Sequence, residues 1–153
     1  MMQRMGWVGI ELRAYEKRRQ DLAFRSEHLL MRGRLVEMQG HGRWADLLGQ
    51  FRKIVIEMNR EAGRNLLRDR NSPTEHYEIE REVVEVILSV DYDPNLFRVT
   101  CSLSSGDIDN REFELEVRDV GGNDKTVWVD RQTGRREKDE EIAKFVIRNL
   151  MQV

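Results

Sequence analysis

The apolar spacing of this chain changes from helical to alternating at Asn71-Ser72-Pro73, and that change limits the available folds more than any other feature. Before the break, apolar residues recur at three, four and seven. After it they recur at two. A chain that runs helices first and strands second folds as an α+β protein, not as an alternating α/β one.

In the first half, Tyr15, Leu22, Leu29 and Val36 recur at intervals of seven, flanked by Leu12, Ala23 and Leu30. This narrow line has the look of a bundle seam. It predicts a helix over about 12–37, weakened at Gly33. Gly40-His41-Gly42 predicts a turn. A second helix is expected over about 43–68, with Trp44, Leu47, Leu48, Phe51, Ile54, Val55, Met58, Ala62 and Leu66 as its stripe. Two helices joined by so short a turn form an antiparallel hairpin. Each is long for one small sheet to cover, which points to self-association through Tyr15, Leu22, Leu29, Val36, Phe51 and Val55.

In the second half, Tyr77 and Ile79 alternate with Glu78, Glu80 and Glu82. At Val83-Val84 the phase slips to even numbers, Val84, Val86, Leu88 and Val90, which predicts a β-bulge in one long strand. Asp93-Pro94-Asn95 is a turn, and Phe97, Val99, Cys101 and Leu103 form the next strand. Ser104-Ser105-Gly106-Asp107 opens a loop before Phe113, Leu115 and Val117. Val120-Gly121-Gly122-Asn123-Asp124 leads into Val127 and Val129, with Trp128 on the opposite face. The expected sheet is a four-stranded antiparallel meander. A last helix over about 138–151 packs on it through Ile142, Phe145, Val146 and Leu150, with Asp139, Glu140 and Glu141 in its first turn.

The charge divides at the same place. Residues 1–72 carry 15 Lys and Arg against 9 Asp and Glu, a net of +6, and residues 73–153 carry a net of −8. The expected organisation is a basic helical hairpin over 1–72, serving oligomerisation, and an acidic sheet-plus-helix domain over 73–153. The alternative is that the opposite charges hold both halves in one compact unit. The single cysteine excludes an internal disulfide and a cysteine-based metal site within one chain. With no signal core and no membrane span, it fits a reducing cytoplasm.

The chemistry-bearing residues are sparse. Cys101 is in phase with Val99 and Leu103, so it reads as a buried, inert thiol. His28, His41 and His76 have no partner at ligand spacing. Asp91-Tyr92-Asp93-Pro94-Asn95 has alternating oxygens but Leu96 where a calcium loop needs glycine, and Asp107-Ile108-Asp109 fails similarly. Glu112, Glu114 and Glu116 line a strand face, as do Glu78, Glu80 and Glu82, where solvation is the ordinary role. Arg18, Arg25 and Arg32 form a row that can follow a phosphate backbone. Yet they lie about 60° from the Tyr15–Val36 line on an ideal helix, where arginine stems cover an apolar seam. Trp128 is either an exposed anchor for a partner or a residue covered by the N-terminal helices.

The expectation is therefore a protein–protein interaction module without catalytic residues, cofactor or metal, binding itself and a further protein and no membrane. Nucleic-acid binding through the arginine row is the alternative. A small-molecule or enzymatic pocket between sheet and helix is the second.

Overall fold

One continuous helix, not a hairpin of two, forms the N-terminal part of the protein. The computed structural model describes residues 6–72, 75–83, 86–105 and 110–153. Helix α1 is Trp7–Ala62 and spans 56 residues. It is followed by β1 (Leu67–Ser72), β2 (His76–Arg81), β3 (Val86–Asp93), β4 (Arg98–Leu103), β5 (Arg111–Val120), β6 (Asn123–Asp130), β7 (Arg136–Glu137) and α2 (Asp139–Met151). The strands form one antiparallel sheet in the order of the chain. The α+β content and the antiparallel pairing are as the sequence suggests. The helical hairpin and the four-stranded meander are corrected to a single helix and seven strands. The chain divides into two compact units between Leu35 and Val36.

The expected turn at Gly40-His41-Gly42 is helical because the buried stripe runs straight through it. Val36, Gly40, Trp44, Leu47, Phe51 and Val55 are the buried residues of α1, spaced by three and four. Gly40 is part of that stripe, not an interruption of it. A Cβ at this position would stand 2.6 Å from the Tyr92 hydroxyl oxygen and 3.3 Å from the Phe97 ring, whereas at Gly42 it would meet nothing. Glycine thus marks a close approach of helix to sheet. The helix ends instead at Gly63, in the left-handed region at φ 67°. Gly63 N donates to Arg60 O and Arg64 N to Asn59 O, the Schellman arrangement that satisfies the last carbonyls.

Asn59 then starts the sheet. Its side chain donates to Leu67 O and accepts from Leu67 N, both at 2.9 Å, so its amide serves as a neighbouring strand for one residue. Leu67 is buried, and the rest of β1 that can be described is exposed. The first two residues of β1, Leu67 and Arg68, are the end of the expected second helix, and the rest of the strand lies beyond it.

The slip at Val83 is a hairpin and not a bulge. Arg81 pairs with Val86 across the β2–β3 ladder, and Val83 turns the chain with φ 76°. Buried residues are odd-numbered in β2 (Tyr77, Ile79) and even-numbered in β3 (Val86, Leu88, Val90, Tyr92) because the strand restarts. Pro73, Val84 and the Asp107-Ile108-Asp109 triplet lie outside the described residues. The β5–β6 turn places Gly121 and Gly122 at φ 63° and 88°, the two-residue geometry that glycine makes cheap.

Pairing also corrects the face of β6. Leu115 sits opposite Trp128, and Val99 opposite Phe113, so Trp128 lies on the core side. Two valines outweigh one tryptophan when β6 is taken alone, and the neighbouring strand decides the matter. Within residues 36–153, the α1 stripe and α2 residues Ile142, Ala143, Val146, Ile147 and Leu150 join this face in one core. Each fully buried side chain of this size contributes about 1.5–3 kcal/mol. Arg81 Nη1 donates to Leu150 O at 3.0 Å and also to Val153 O, holding the end of α2 where its carbonyls favour a cation.

Candidate functional site

Most of the exposed large hydrophobic residues among those described are on the first part of α1. Tyr15, Leu22 and Leu29 are 54%, 63% and 68% exposed, and Val8, one heptad earlier, and Leu12 are exposed as well. No proline interrupts residues 7–35, and Gly33 costs only about 1 kcal/mol against alanine. The seven-residue line therefore stays straight and open. Arg18 and Arg25 run exposed beside it, and Arg32 is half-buried. The other members of the expected interface lie elsewhere. Val36, Phe51 and Val55 are buried in the core of residues 36–153 and offer no free surface.

A second apolar line, interrupted by charges, lies on another side of the same segment. Ile10, Phe24 and Met31 share the spacing of seven, with Lys17 filling the vacant place. Trp7, Ala14 and His28 lie beside them in the three-and-four pattern, with Asp21 in the remaining place. Phe24 is 71% exposed, and Ile10, Met31 and Trp7 are also exposed. Its ring stacks on His28 with centroids 6.4 Å apart. The signal that finds this line is the same heptad count, continued around the helix.

Trp128 is fully buried, so no partner can reach it. Its ring meets Tyr92 edge-on at 6.4 Å, and Tyr92 stacks on Trp44 at 5.5 Å. Beside this cluster Arg43 Nη2 donates to Asp139 Oδ1 at 3.3 Å. Burial raises the Asp139 carboxyl above its ordinary range, against the opposing pull of Arg43.

Several of the remaining polar groups are paired with one another, and the thiol is shielded. Burial pushes the Cys101 thiol up to about 12, which removes its thiolate at neutral pH. His76 Nε2 lies 2.7 Å from Glu78 Oε1, and Nδ1 contacts Asp91 Oδ1. The hydrogen bond to Glu78 and then that to Asp91 raise the imidazole pKa above its usual value. Glu112, Glu114 and Glu116 sit beside Arg131, Arg98 and Arg118. Asp93 Oδ1 accepts from Asn95 N at 2.8 Å and Leu96 N at 3.2 Å, a local turn. Among the described residues no group of three His, Cys, Asp or Glu side chains is placed to hold a metal. No helix of the described residues is long and apolar enough to cross a membrane.

A groove of about 270 Å³ lies between the sheet and α2. Arg111 crosses it, stacked 4.9 Å over the Phe145 ring and bonded to Asp130 Oδ2 at 3.2 Å. This is a tie between strand and helix, because the guanidinium is engaged by the chain's own groups. No protein-family model, curated protein or solved structure matches the chain.

Proposed function

We propose that this chain is an interaction module that assembles with copies of itself through α1. The observation that carries the reading is the exposed line Val8, Tyr15, Leu22 and Leu29 at seven-residue spacing on an unbroken helix. A repeat of seven is what a second helix running alongside demands. Burying each of these side chains gains about 1.5–3 kcal/mol, and both copies contribute. That sum is comparable with the cost of association, about 4–15 kcal/mol. In this role Arg18 and Arg25 lay their stems along the line and keep their guanidinium groups in water.

Light scattering on the full chain tests this. A mass that is a multiple of 18.2 kDa, lowered by Leu22→Asp with Leu29→Asp, is the expected result. Both positions are exposed, so circular dichroism should show an unchanged fold. A monomeric native chain, or a mass indifferent to both substitutions, overturns the reading.

A further inference from the structure

We infer that α1 carries a second self-association face, turned well away from the first, and that it pairs antiparallel with another copy in a register set by Lys17 and Asp21. The inference rests on the reading that the chain assembles with itself. It adds a face, an occupant and an alignment.

On an ideal helix the Ile10–Phe24–Met31 line lies about 160° from the Tyr15–Leu22–Leu29 line. A two-stranded pair buries one face of a helix and leaves the opposite one wet. Here the far side carries Ile10, Phe24 and Met31, with Trp7 at its edge about 100° from the first line, all exposed in the single chain. Two heptad lines so far apart around one helix call for a neighbour on each.

The charges name the occupant. In an antiparallel pair of these segments, centred near Arg18 and Arg19, Lys17 of each copy shares a layer with Asp21 of the other. The same alignment sets small Ala14 against large Phe24 and Trp7 against Met31. At the flanks, Arg13 meets Glu27 and Glu11 meets Arg25, each twice by symmetry. Arg18 meeting its own copy at the twofold is the only like-charge contact among these pairs. A parallel pair stacks Lys17 on Lys17 and Asp21 on Asp21. An antiparallel pair shifted by one heptad leaves both charges facing apolar or uncharged groups, which costs more than pairing them. Charge and size thus favour a second copy in one alignment.

Sedimentation equilibrium of the full chain, with circular dichroism as the control for folding, tests the inference through three variants. Lys17→Asp and Asp21→Lys each set like charges against one another twice, and each should weaken self-association on the order of tenfold or more. The combined swap, Lys17→Asp with Asp21→Lys, restores the opposition and should return the native constant. If the single variants weaken assembly and the swap fails to restore it, the antiparallel register is wrong. If all three behave as the native chain while Leu22→Asp with Leu29→Asp still lowers the mass, the second face falls and the first reading stands. A monomeric native chain removes both.

Discussion

Gly40 faces Tyr92 across the contact between α1 and the sheet, where a Cβ on residue 40 would lie 2.6 Å from the Tyr92 hydroxyl oxygen. Tyr92 cannot retreat, being stacked on Trp44 and set edge-on to Trp128. Gly40→Ala should therefore destabilise the protein by about 1–3 kcal/mol through overpacking. Gly42→Ala, two residues on and facing open space, should instead stabilise it by about 0.5–1 kcal/mol through helix propensity. Chemical denaturation of the two variants checks the opposite signs. Equal effects would show that the Tyr92 contact does not constrain the helix.

Asn59 should be the most sensitive polar residue at the end of α1. Its amide makes two hydrogen bonds to the backbone of Leu67, which is itself buried. Asn59→Ala leaves a donor and an acceptor at the start of β1 without partners, an expected loss of about 1–3 kcal/mol. Faster hydrogen exchange of the Leu67 amide should accompany it.

His76 gives stability a pH dependence of definite sign. Its folded pKa is raised above 6.5 by hydrogen bonds to Glu78 and Asp91. The stabilisation is complete below the unfolded value and disappears as pH rises through the folded one. The thermal midpoint of the native protein should fall relative to that of His76→Gln as pH rises from below the unfolded value of 6.5 through the raised folded one. Parallel curves for the two proteins would contradict it.

Cys101 should be unreactive in the folded state. With the thiol buried and its pKa pushed up to about 12, a thiol reagent near neutral pH should label it only after unfolding. Labelling at the rate of a free thiol would show that the Leu88–Leu103 region opens readily.

What the sequence reveals of this fold depends on how local each signal is. The α2 helix is legible because Ile142, Val146 and Leu150 carry a clear helical period behind an acidic first turn. Strands β4 and β5 are legible from strict alternation. Gly40 is misleading because its cause, the ring of Tyr92, lies fifty-two residues away in sequence. Strand β1 is hidden because Leu67-Arg68-Asp69-Arg70 shows no alternation, and its pairing with β2 alone defines it. The exposed Tyr15–Leu22–Leu29 line is legible because a spacing of seven lies within a single helix and needs no distant partner to be read. The second line escapes notice because Lys17 and Asp21 break the apolar count at its centre.

The sheet's strand order follows the chain's own order, and synthesis meets that arrangement from one end. Each hairpin can close as soon as its second strand has emerged, since its partner is always the strand just made. The core is slower to complete. Trp44, Leu47 and Phe51 are made before any strand, whereas Val146, which lies over Leu88 and Cys101, is made after all of them. A nascent chain that has paired every strand therefore still shows water one apolar flank of its sheet. Helix α2, clasped at its end by Arg81, is the closing bolt, and its thirteen residues decide when the body is finished.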